Sequence, residues 1–188
     1  MTRRLFTGVA GLLFVGTAAS AGGWLLPRSA PIDGIEVAEG LEATLFAEAP
    51  MLTNPTNLDV DARGRVWLVE GHNYRNTLHP NQPVREEGDR IVILEDTDGD
   101  GRADKETVFY QGRDVDAAMG IAVLGNEVIV SAYDHVFVLS DHDGDDRADD
   151  KRVLFRLNES DHDHTVHAFV FGPDGRLYFK VGDEGRVV

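Results

Sequence analysis

The chain contains no cysteine. That absence excludes disulfides, zinc–thiolate sites, thiol nucleophiles and a CxxCH attachment site, so this chain carries no haem. Lysine is scarce as well. Lys and Arg together number 18 against 33 Asp and Glu, and the formal charge is −15. A surface of that sign repels phosphate backbones, which excludes nucleic acid as a partner. No window sustains a 3.6-residue apolar period, and no apolar run is long enough for a helical membrane span. Wholesale disorder is excluded too. Apolar residues make up 42% of 188, enough for the core of one domain or of part of a larger one.

What is present begins with a three-zone leader. Arg3 and Arg4 open it, Leu5 to Ala18 is apolar, and Ala19-Ser20-Ala21 fits a small-x-small cleavage pattern. Residues 1–21 therefore read as a cleavable export signal, which places the mature chain in the periplasm or cell envelope. Residues 22–40, rich in Gly, Pro and Ala, read as a linker.

From residue 41 to 188 short apolar alternations are separated by Asp, Asn and Gly turns. Val66-Trp67-Leu68-Val69, Ile91-Val92-Ile93-Leu94, Glu127-Val128-Ile129-Val130 and Arg176-Leu177-Tyr178-Phe179 are β-branched or aromatic runs of strand length. The fold class is all-β. Residues 91–104 also align without a gap on residues 136–149, an offset of 45. A second repeat alternates with these copies: Gly64-Arg65-Val66-Trp67 before the first matches Gly175-Arg176-Leu177-Tyr178 after the second, and Leu124-Gly125-Asn126-Glu127-Val128 between them is a looser copy. A period near 45 residues with several strands per unit is the signature of a β-propeller, whereas a β-sandwich gives no reason for such a register. Residues 41–188 hold about three such blades, so the propeller is expected to be incomplete.

The 45-residue repeat carries two acidic loops. Asp96, Asp98, Asp100 and Asp104 stand at positions 1, 3, 5 and 9 of a calcium loop, with the Arg102 carbonyl at position 7. Position 12 is Thr107 and the flanks are strands, so this is not an EF-hand. The second loop keeps Asp141, Asp143, Asp145 and Asp149, but Asp146 replaces the glycine of the first. The competing reading is a pair of Asp-rich turns whose carboxylates only cap backbone amides. Five or more acids in ten residues exceed what a turn requires, and calcium is the expected ligand, holding two strands of each blade together.

Three histidines fall within Asp161-His162-Asp163-His164-Thr165-Val166-His167. Alone, such a cluster reads as a transition-metal site, a general-base centre or a solvated loop, the last being the default. The wider pattern from Asp163-His164 through Gly172-Pro173-Asp174 and Tyr178 to Gly182-Asp183-Glu184-Gly185-Arg186 resembles the active-site blade of soluble quinoprotein glucose/sorbosone dehydrogenases. Further motifs, Asn54-Pro55-Thr56-Asn57, Glu70-(x)2-Asn73-Tyr74-Arg75 and Gly88-Asp89-Arg90-Ile91, are similar to the N-terminal propeller of the planctomycete and verrucomicrobial membrane-bound dehydrogenases. Those proteins combine a six-bladed propeller with HEAT repeats and a cytochrome c domain. The resemblance implies that His164 is the catalytic base, that Asp163 helps hold substrate, and that a hydride passes from a sugar or other alcohol to pyrroloquinoline quinone. It also implies a cytochrome c electron acceptor, and it puts the basic residues that clamp the quinone on later blades. Two other classes compete: a non-catalytic, calcium-stabilised propeller that binds glycan or protein, and a truncated fragment without independent activity.

Overall fold

The computed structural model describes residues 11–17, 32, 34–74, 83–157 and 166–182. Among them the only helical element is a 3-10 turn at Arg113–Val115; all other regular structure is strand. The strands are β1 (Gly11–Thr17), β2 (Leu41–Glu48), β3 (Pro55–Val60), β4 (Val66–Glu70), β5 (Asp89–Glu95), β6 (Lys105–Gly112), β7 (Gly120–Leu124), β8 (Glu127–Ala132), β9 (His135–Ser140), β10 (Asp150–Arg156), β11 (Val166–Phe171) and β12 (Leu177–Val181). They form two four-stranded antiparallel sheets, β3-β4-β5-β6 (sheet I) and β7-β8-β9-β10 (sheet II). A two-stranded sheet, β11-β12 (sheet III), follows, and β1 pairs with β2.

The sequence repeats are the strand order written twice. The 45-residue offset superposes β5, its aspartate loop and β6 on β9, its loop and β10, the third and fourth strands of sheets I and II. The Gly64, Gly125 and Gly175 turns each join a first strand to a second, and each has positive φ (81°, 66° and 75°), a conformation glycine adopts without a side-chain penalty. The third unit departs from the expected blade: the described residues supply two strands where the repeat calls for four. No closed barrel or ring is formed among them.

Alternation within each strand gives every sheet two apolar faces, and the core lies between sheets. Trp67, Val69, Ile91, Ile93 and Phe109 of sheet I pack on Ile121, Val128, Val130, Phe137 and Leu139 of sheet II. Trp67 meets Phe109 edge-on at 4.8 Å between ring centroids. The other face of sheet II, with Ile129, Val136 and Val138, meets Val166, Phe169, Leu177 and Val181 of sheet III. The other face of sheet I, with Val66, Leu68, Val92 and Leu94, is covered by Phe46, Ala47 and Leu52.

First strands lie side by side in the same direction. Asn57 Nδ2 donates to the Met119 carbonyl at 2.9 Å, and Val123 N donates to Asp59 Oδ2 at 2.8 Å. Ser131 Oγ donates to the Val166 carbonyl at 2.5 Å, tying sheet II to the start of β11. All sheets therefore share two ends. One end carries the aspartate loops. The other carries the β4–β5, β6–β7 and β8–β9 connections, together with Leu157 and Val166, which flank residues 158–165.

Candidate functional site

At the first end each aspartate loop folds round its own opening carboxylate. Asp96 accepts from Gly99 N (2.8 Å) and Gly101 N (2.8 Å), and Asp141 accepts from Gly144 N (2.7 Å) and Asp146 N (3.0 Å). Asp104 takes Thr97 N and Oγ1, and Asp149 takes His142 N. The folding leaves one oxygen of each of Asp96, Asp98 and Asp104 within 4.8 Å of the others, and Asp141, Asp143 and Asp149 are grouped in the same way. Calcium–oxygen bonds of about 2.3–2.6 Å put the ligands of one ion within about 5 Å of each other, so both triplets fit that ion. Asp100 of the expected set instead accepts from Arg102 N at 2.8 Å, and Asp145 donates its own N–H to Asp143 at 3.2 Å.

Both loops also grip the preceding sheet. Ala148 N donates to the Phe109 carbonyl of β6 at 3.0 Å, and Ala103 N donates to the Phe46 carbonyl of β2 at 2.8 Å. Asp146, at φ 63°, takes the conformation that glycine takes at 101 and receives Arg65 Nη1 at 2.8 Å. Arg65 in turn holds Asp61, which also accepts from Trp67 Nε1 at 3.0 Å. Burial alone would raise the Asp61 carboxyl, but the bonds from Trp67 and Arg65 outweigh it and leave the group below its ordinary value. The expected role, joining two strands of one sheet, thus widens. The loops sit at the junctions between sheets. Beside the first loop a cavity of about 510 Å³ is lined by Phe46, Glu48, Met51, Arg102 and Glu106.

The opposite end holds a buried polar network. Glu70, at the end of β4, is fully buried and accepts from Thr53 N (2.8 Å), Arg90 Nε (2.7 Å), Arg90 Nη2 (2.6 Å) and Arg85 Nη1. Burial pushes its carboxyl up, but the bonds from Arg90 and Arg85 dominate and the net shift is downward. Asp89, also fully buried, accepts from Asn73 N (3.0 Å) and Ala117 N (2.9 Å). Asp116 Oδ1 accepts from Asp89 N (2.8 Å) and Asn73 Nδ2 (3.0 Å). Desolvation, with the nearby Asp116 charge, raises the Asp89 carboxyl. The network fastens the β4–β5 and β6–β7 connections into one rigid end. Sequence reasoning assigned these groups no role, although Glu70, Asn73, Asp89 and Arg90 lie inside the motifs that carry the family resemblance.

The expected base His164 and its neighbour Asp163 lie outside the described residues, as does His162. The described residues on either side of them, Leu157 and Val166, lie at this polar end: Leu157 N donates to the Asp134 carbonyl at 2.6 Å, and the Val166 carbonyl accepts Ser131 Oγ. The candidate metal triplets thus lie at the end of the sheets opposite Leu157 and Val166.

The family described as a domain of unknown function, DUF7133, matches residues 28–188. No curated protein shows significant sequence similarity. Among solved structures, the calcium structure of a Trichoderma reesei carbohydrate-active enzyme of family AA12 is similar in fold, with a TM-score of 0.52 at 16% identity. The match covers 81% of this chain and 33% of that one, so the chain spans about a third of that enzyme's length.

Proposed function

We propose that this chain, which belongs to the DUF7133 family, is part of an exported propeller-type dehydrogenase that oxidises a sugar or other alcohol. In this reading sheets I, II and III are consecutive blades of a six-bladed ring of the kind found in the planctomycete and verrucomicrobial membrane-bound dehydrogenases. The observation that carries it is the parallel, side-by-side packing of the first strands β3, β7 and β11, with each sheet stacked face-on against the next. The likeness to a carbohydrate-active enzyme supports the substrate class.

Calcium fits the Asp96/Asp98/Asp104 and Asp141/Asp143/Asp149 triplets and serves a structural role there, at the junctions between sheets. Pyrroloquinoline quinone would supply the hydride acceptor when bound. Four basic side chains of the described residues offer it no place, because Arg65 is held by Asp61 and Asp146, Arg85 and Arg90 by Glu70, and Lys151 by Asp114. The chemistry proposed for this chain is proton removal. The imidazole of His164 takes the substrate hydroxyl proton, and Asp163 helps hold the substrate.

The test is dye-coupled oxidation of aldoses and simple alcohols by the complete propeller supplied with calcium and pyrroloquinoline quinone. Turnover that requires the quinone supports the reading. Binding of glycans without turnover would replace it with the non-catalytic one.

A further inference from the structure

The apolar run that the sequence reads as an export leader contains a strand of this fold. β1 (Gly11–Thr17) lies within it and pairs antiparallel with β2, from Gly11 against Glu48 to Thr17 against Leu41. Residues 18–40 separate the two strands, and the expected cleavage after Ala21 falls between them.

The register of this pair is that of a third and a fourth strand. Consecutive residues Leu12 and Leu13 are opposite Ala47 and Leu45, so Phe46 is an extra residue on β2. In sheet I, Ile91 and Val92 are opposite Tyr110 and Val108, with Phe109 extra on β6. In sheet II, Val136 and Phe137 are opposite Phe155 and Val153, with Leu154 extra on β10. Ile91 and Val136 are equivalent in the 45-residue repeat, and β1 places Leu12 at the same point. The extra residues agree in a second respect. The Phe46 carbonyl accepts from Ala103 N as the Phe109 carbonyl accepts from Ala148 N, and Ala103 and Ala148 are equivalent in the same repeat. β2 thus has the bulge of a fourth strand and its contact to the following sheet, and β1 fills the third-strand slot beside it.

In sheets I and II the third strand also pairs with a second strand, whereas β1 and β2 form a sheet of two. Two strands alone are marginal in water, and the chain joining them supports the pair by raising their effective concentration. Cutting that chain after Ala21 removes the support and releases β1. The β2 edge then carries unpaired N–H and C=O groups, a template for wrong pairing until another strand takes the place.

We propose that the leader is a removable strand of the fold. Until cleavage it fills the third-strand slot and covers the β2 edge. Cleavage vacates that slot for a later strand of the same protein, so the ring closes only after export. This device rests on the export and six-bladed readings and not on the dehydrogenase chemistry.

Paired cysteines test the slot, because the chain has none of its own. Val15 and Ala43 are register partners, so Val15→Cys with Ala43→Cys should form a disulfide in the uncleaved chain. Leu13→Cys with Leu41→Cys, out of register by four residues or about 13 Å, should not. Amide exchange over residues 41–48 should speed up about tenfold or more when residues 1–21 are removed, and slow again in the complete mature propeller. Equal disulfide yields in the two pairs, or none in either, would overturn the proposal while leaving export intact. So would β2 amides that exchange alike with and without the leader, or that stay fast in the complete protein. Exported material that still begins at Met1 would overturn it through the export reading, with the strand pairing intact.

Discussion

Arg65 Nη1 donates to both carboxylate oxygens of Asp146, at 2.8 Å each, and so joins the turn before β4 in sheet I to the second aspartate loop in sheet II. Asp146 stands where the first loop has Gly101, in a left-handed conformation (φ 63°) that costs an ordinary residue about 1–2 kcal/mol. The strain is offset by the ion pair. Removing one partner of a buried pair costs about 3–5 kcal/mol, and because Asp146 is only partly buried the lower end applies. Asp146→Ala is expected to lose about 3 kcal/mol in urea unfolding. Asp146→Gly should lose less, since it relieves the backbone. Equal losses would show that backbone conformation has no part in the balance.

Glu70 sets an acid limit on stability. Its folded carboxyl titrates below the ordinary value because Arg90 and Arg85 hold the charged form. Its contribution is therefore complete above the unfolded pKa of about 4.3 and is lost as pH falls through the lower folded value. Glu70→Gln should cost about 3 kcal/mol or more at pH 7, since two guanidinium groups lose their partner. The cost should shrink toward pH 3, because below the unfolded pKa the unfolded carboxyl takes up a proton that the folded one resists. Asp89 acts in the opposite sense. Its raised pKa means that ionisation is opposed in the folded state, so its contribution falls as pH rises past about 3.9. Urea midpoints for wild type and Glu70→Gln at the two pH values check this, and a cost independent of pH would refute it.

Calcium should raise the melting temperature, because a ligand that binds only the folded state stabilises it by mass action, about 2.7 kcal/mol at a hundredfold excess over Kd. Asp98→Ala should remove part of the shift and Asp98→Ala with Asp143→Ala all of it, since each deletes one member of a different triplet. Melting curves that coincide in EDTA and in millimolar calcium would count against occupancy of either loop.

Much of this fold was legible in the sequence because its repeats are local. The 45-residue offset captured β5–loop–β6 and β9–loop–β10, and the Gly64 and Gly175 turns marked the same hairpin in sheets I and III. The polar end was not legible. Glu70 meets Arg90 twenty residues away, and Asp116 meets the backbone of Asp89 twenty-seven away, so neither contact leaves a periodic trace. Asp146 illustrates the same limit. In sequence it departs from the glycine of the first loop, and only the position of Arg65, 81 residues earlier, gives it a purpose. The bond from Ala103 to the Phe46 carbonyl of β2, 57 residues earlier, is equally silent in the sequence.

His164 is proposed as the general base of the reaction. Turnover of His164→Gln and His162→Gln, compared in the complete propeller with calcium and quinone supplied, tests it most directly. Glutamine keeps a hydrogen-bonding side chain but cannot accept the substrate proton. Loss of a positioned general base costs about 10²–10⁴-fold in rate, and that loss is expected at His164, with little change at His162. Equal losses at the two positions, or none at either, would contradict the assignment of the base.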